Sequence, residues 1–71
     1  MTQQERIVKY LDEFGTITAL EAMRDLGVYR LASRIYDIKE QGIDIDKKMI
    51  QVSNRYGEYT KIAQYHLENQ K

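Results

Sequence analysis

Apolar positions recur at helical spacing over the first half of the chain and alternate over its last third. Ile7, Tyr10, Leu11 and Phe14 fall at i, i+3, i+4 and i+7, one face of a helix. Ahead of them Thr2 and Glu5 have capping-box spacing, in which hydroxyl and carboxylate each take an orphan backbone N–H. Behind them Gly15 offers a left-handed stop. These signals predict a helix over residues 3–14. Thr16-Ile17-Thr18 is β-branched and predicts a brief strand that pairs with a later hairpin. Thr18 and Glu21 repeat the capping box, Ala19, Ala22, Met23 and Leu26 repeat the apolar spacing, and Gly27 ends this second helix. After a short break, Val28, Leu31, Ala32, Ile35 and Ile38 predict a third helix, closed by Gly42. Its polar face carries Arg30, Ser33, Arg34, Asp37 and Gln41, with Tyr29 and Tyr36 on the flank.

Beyond Gly42 the period changes. Residues 43–53 and 59–67 predict two strands, joined by Asn54-Arg55-Tyr56-Gly57-Glu58, where Gly57 supplies a positive φ. Ala63, Tyr65 and Leu67 alternate, as do Ile50 and Val52, while Met49 and Ile62 interrupt the pattern and leave the inward face open. Met23 and Met49 are expected as core filler, one of Tyr29 and Tyr36 is expected to pack, and His66 is expected to face solvent. Helix, strand, helix, helix, strand, strand is the order of an α+β winged helix: a three-helix helix-turn-helix core with a short strand and a C-terminal β-hairpin wing. A three-helix bundle with a β appendage is the alternative, and it gives the Thr16–Thr18 segment no role. One domain over residues 1–67 and a flexible tail over 68–71 are expected.

With 71 residues the chain holds one domain with a modest core. It has no Cys and a single His, so it has no disulfide framework and no zinc-ligand set. No apolar run approaches the ~20 residues that span a bilayer, and Met1 to Arg6 lack a signal segment. A cytoplasmic location and no membrane partner are expected. No phosphate-binding Gly loop, metal cluster or nucleophile constellation is present, so neither an enzyme nor a cofactor is expected. The net charge of zero weighs against a nucleic-acid partner. Its distribution tempers this: residues 1–28 carry Arg6, Lys9 and Arg24 against Glu5, Asp12, Glu13, Glu21 and Asp25, whereas residues 29–61 carry Arg30, Arg34, Lys39, Lys47, Lys48, Arg55 and Lys61 against Asp37, Glu40, Asp44, Asp46 and Glu58. The basic half is the half that a winged helix turns toward DNA.

The stretch from Leu26 to Ile45 (LGVYRLASRIYDIKEQGIDI), with Asn54-Arg55-Tyr56-Gly57 in the turn and Ala63-Gln64-Tyr65-His66-Leu67 at the end, resembles the small helix-turn-helix proteins common in phages and prophages. The likeness runs from about Arg6 to Leu67. It implies a winged helix-turn-helix and a role in DNA binding. Ile38 stands where Leu is usual, and Gln64 and His66 stand where basic residues are frequent, which thins the phosphate grip of the last strand.

On this reading double-stranded DNA is the first partner. Arg30, in the first turn of the third helix, is placed to meet base edges, and Arg34 one turn on can reach a phosphate or pair with Asp37. Ser33 and Tyr29 are candidate phosphate contacts. Asn54, Arg55 and Tyr56 form the wing tip, although turn chemistry alone accounts for Asn54. Lys47 and Lys48 read as a solvated strand edge with a secondary phosphate role. A transcriptional regulator and an excisionase-like DNA bender are both compatible with this set. The alternative is a phage winged-helix inhibitor that binds a host protein, such as an anti-CRISPR, a reading favoured by neutrality and six tyrosines. A homodimer through a stripe of Val8, Tyr10 and Leu20 is a third candidate.

Overall fold

The computed structural model describes residues 1–67, and the expected tail over 68–71 lies outside them. The first predicted helix is α1 (Gln3–Phe14). Both halves of its capping box form: Glu5 N–H donates to Thr2 Oγ1 at 3.1 Å, and Thr2 N–H donates to Glu5 Oε1 at 2.8 Å. Gly15 ends the helix with a positive φ of 87° and a ψ of −31°, outside the left-handed helical basin. The chain then enters β1 (Thr16–Thr18). Thr18 closes this strand and also caps α2 (Ala19–Glu21): its Oγ1 accepts from Glu21 N–H at 3.3 Å, while Glu21 Oε1 accepts from Thr18 N–H at 2.9 Å.

The second helix does not continue as an α-helix. Ala22–Leu26 wind as a π turn, and Gly27 closes it at φ 69°, ψ 24°. Val28 N–H donates to Ala22 O at 3.0 Å, six residues back, so the closure is wider than an α-helical stop. The wider turn directs only Ala22 fully inward. Ala19 is exposed and Met23 is 45% exposed, so neither fills the core as expected. Arg6 Nη1 donates to Leu26 O at 3.4 Å, placing a cation at the open carbonyl end.

α3 spans Leu31–Glu40. It begins later than the apolar pattern indicated, because Val28 is buried in the turn rather than on the helix. Leu31, Ile35 and Ile38 face the core, whereas Ala32 is exposed: at about 100° per residue it falls on the flank of that face. Tyr29 and Tyr36 are both exposed, and neither packs. Gly42, at φ 95°, turns the chain before β2 (Ile45–Ser53), which starts two residues after the predicted strand. β3 is Tyr59–Leu67, as predicted.

The sheet is antiparallel in the order β1-β3-β2. Ile45 pairs with Leu67, Lys47 with Tyr65 and Ser53 with Tyr59, while β1 covers β3 only at Gln64, Tyr65 and His66. Ile7 and Leu11 of α1, Ile17 of β1, Ala22, Val28, Leu31, Ile35 and Ile38 and Ile45 of β2 form one buried cluster, with Tyr65 and Leu67 packed on it. Removal of each Val, Leu or Ile side chain of this cluster from water stabilises the fold by about 1.5–3 kcal/mol. Phe14, predicted on the buried face of α1, is 66% exposed, and its ring lies against that of Tyr10 with centroids 4.6 Å apart.

Strand alternation sorts the rest of the hairpin. Ile45, Tyr65 and Leu67 meet the helices, so Lys47, Met49, Tyr59, Lys61 and Ala63 share that inner face. Asp46, Lys48, Ile50, Val52, Ile62 and His66 share the outer face. Met49 and Ile62 therefore do not interrupt a pattern, since each belongs to a different face. The strands are about 30 Å long at ~3.3 Å per residue, and the molecule measures 39 Å along its longest axis. The outer half of the hairpin overhangs the helices, which leaves Met49 53% exposed rather than buried.

Candidate nucleic-acid interface

The start of α3 gathers the first group of candidate residues. Arg30 is the N-cap, at φ −120° and ψ 64°, rather than a residue of the first turn, and its side chain makes no capping hydrogen bond. Its carbonyl accepts the opening helical bond from Arg34 N–H at 3.2 Å. Arg30 has no ion-pair partner among the described residues: Asp25 is taken by Arg24, and Asp37 by Arg34. Tyr29, just before it, is 80% exposed. The guanidinium of Arg30 and the phenol of Tyr29 thus stand in water beside the backbone N–H groups that open α3, a combination suited to an anionic ligand.

Arg34 is more constrained. Its Nη2 lies 3.2 Å from Asp37 Oδ2, and both side chains are little more than a third exposed. Arg34 sits on the α1 side of α3 and borders a shallow groove with Thr2, Gln3 and Gln4. Ser33 is half-buried on the same helix. An exposed pair of this kind is worth about 0–1 kcal/mol, so a phosphate can replace Asp37 as the partner of Arg34 at little cost.

The second group lies at the far end of the hairpin. Asn54 Oδ1 accepts from Tyr56 N–H at 2.9 Å and from Glu58 N–H at 3.1 Å, while Asn54 N–H donates to Glu58 O at 2.8 Å. Asn54 is committed to shaping the turn, together with Gly57 at φ 78°. Arg55 and Tyr56 project from it, both exposed. Lys47 and Lys48 do not act as a pair: alternation turns Lys47 to the inner face, and Lys48 to the outer face beside Asp46 and His66. His66 is only partly exposed, with Nε2 3.9 Å from Asp46 Oδ2.

A polar cluster that the sequence pattern did not single out sits on the opposite side. Tyr10 Oη donates to Asp25 Oδ2 at 2.8 Å, and Arg24 donates to Asp25 Oδ1 at 2.9 Å and to Oδ2 at 3.1 Å. These bonds, from Arg24 first and then Tyr10, pull the Asp25 carboxyl down to about 2. The same bond raises the Tyr10 phenol above its ordinary value. The cluster ties α1 to the π turn. It also removes Tyr10 from the stripe with Val8 and Leu20: Tyr10 is buried, Val8 is half-buried and only Leu20 is well exposed.

Among the described residues no helix is long and apolar enough to cross a membrane. The family model for the winged helix-turn-helix domain matches residues 2–70. No curated protein and no solved structure matches the chain. Three helical segments, a three-stranded antiparallel sheet and a family match over nearly the full length agree: the chain belongs to the winged helix-turn-helix domain family.

Proposed function

We propose that this chain is a phage-type DNA-binding protein, a transcriptional regulator or an excisionase-like bender, acting on double-stranded DNA in the bacterial cytoplasm. The observation that carries the reading is Arg30, exposed and without an ion-pair partner among the described residues, at the start of α3 in a winged helix-turn-helix chain. In this mechanism the first turn of α3 enters the major groove, and Arg30 donates two bonds to guanine O6 and N7. Tyr29 and Ser33 bond phosphates, and Arg34 exchanges Asp37 for one. Arg55 and Tyr56 of the wing tip reach the backbone or minor groove, with Lys47 and Lys48 adding field and Asn54 holding the turn. One module of this size makes few phosphate contacts, so binding is weak and steeply salt-dependent unless two copies share a two-fold site.

The test is a mobility-shift assay of Arg30→Ala combined with Arg34→Ala. Duplex binding is abolished, while the melting temperature stays within a few degrees of the parent because both side chains lie on the surface. Unchanged binding by the folded variant rejects the assignment of α3. Exposed Tyr29, Tyr36, Tyr56 and Tyr59, with zero net charge, favour a second reading as an inhibitor of a host protein. Retention of one host protein at high salt, with no duplex affinity at low salt, selects it.

A further inference from the structure

The overhanging inner face of the sheet and one flank of α3 enclose a space of which the duplex mechanism uses only Lys47. Ala32, Ile35, Tyr36 and Lys39 follow one another at helical spacing and face Ile45, Lys47 and Tyr65 across a cleft of about 170 Å³. Past the cleft the same sheet face continues through Met49, Lys61 and Tyr59 toward the tip. Tyr36 is 64% exposed and Tyr59 is 72% exposed. These rings lie in water, and packing within the chain gives no reason for them.

The charge of this surface has one sign. Lys39 and Lys47 line the cleft, and Lys61 lies further out on the same face. No carboxylate stands on the inner face of the sheet among the described residues: Asp46 is on the outer face, and Glu58 in the turn accepts from the Asn54 side chain at 3.4 Å. Glu40 follows Tyr36 by one turn on α3 and does not line the cleft. From Tyr65 to Tyr59 the strand runs about 20 Å at ~3.3 Å per residue. Over that length the rungs carry Lys47 beside Tyr65, then Met49 with Ala63, then Lys61, then Tyr59, so rings and ammonium groups both lie along the face.

A polymer that alternates planar rings with phosphates is complementary to such a surface. Paired bases present only their edges, whereas unpaired bases offer faces that stack on tyrosine. We propose that this face seats an unpaired nucleic-acid strand, with bases against Tyr36 and Tyr59 and phosphates on Lys39, Lys47 and Lys61. Lys47 is the one residue shared with the duplex assignment, so variants at Tyr59, Lys39 and Lys61 test this face separately from that assignment.

The experiment is fluorescence anisotropy of the full chain with a labelled, unstructured DNA strand of about 12 nucleotides, within the site sizes such surfaces cover. Binding falls with salt. Tyr59→Ala weakens it roughly five- to hundredfold, and Tyr59→Phe restores it. Lys39→Gln with Lys61→Gln lowers the salt slope by about 1.4, at ~0.7 per phosphate. Arg30→Ala with Arg34→Ala leaves single-strand affinity unchanged, even where duplex binding is lost. The proposal is overturned if the strand does not bind, or if the arginine variant loses it while Tyr59→Ala does not. Equal displacement by polyglutamate of matched charge also overturns it and makes the face a seat for an acidic protein.

Discussion

Asp25 accepts hydrogen bonds from residues on two elements, and its carboxyl is held at about 2 by Arg24 and then Tyr10, against an ordinary 3.8. A carboxyl with a lowered folded-state pKa contributes stability that is present above its unfolded value and lost as pH falls through the folded one. The melting temperature should therefore decline between about pH 4 and pH 2, and Asp25→Asn should flatten that stretch of the profile. Thermal scans across this window check it, and an unaltered slope in the variant would mean that Asp25 carries no linkage. Tyr10 and Asp25 lie 15 positions apart, so no local pattern announces their bond. Helical spacing showed that Phe14 and Met23 prefer burial, but not that the fold leaves them largely in water. The Arg34–Asp37 pair was legible because it spans a single helical turn. Arg30 was placed on the correct end of α3 but one position inside it, since helix boundaries depend on backbone angles that a lone arginine does not encode.

The elements themselves followed closely from caps and punctuation. Thr2, Glu5 and Gly15 bracket α1, and Asn54 with Gly57 mark the turn. The π turn at Ala22–Leu26 was not legible, because five residues are too few to separate its period from 3.6. Its closure gives a direct test. Gly27 sits at φ 69°, and a Cβ there would meet nothing within 4 Å, so the cost of a side chain is backbone strain alone. Gly27→Ala should destabilise the domain by about 1–2 kcal/mol, a melting-point drop of roughly 4–8 °C per kcal/mol. Gly27→Asn should lose less, because Asn tolerates this conformation. Equal losses for both substitutions in thermal denaturation would show that packing, not φ, governs the position.

At the scale of the molecule, a compact trihelical nucleus carries a hairpin that reaches well past it. The element order and the gathering of basic residues in the second half were legible from the sequence. Which hairpin face turns inward was not, because apolar residues occupy both: Ile50 and Ile62 pair on the outer face, Met49 and Ala63 on the inner. Only Ile45, Tyr65 and Leu67 are tied to the core, so stability should fall off along the strands. Amide hydrogen exchange should be faster, by roughly tenfold or more, in residues 50–53 and 59–62 than in residues 45–47 and 65–67. Uniform protection along both strands would require a partner covering the overhang.

Thr18 has a mechanical consequence. It is at once the last rung of the strand that holds the hairpin and the first anchor of the segment leading to Gly27. The hydroxyl–carboxylate clasp with Glu21 thus fixes the angle at which the sheet edge hands over to the helical segment. One short side chain serves as the hinge pin between the two layers, in company with the Thr16 and Ile17 rungs beside it.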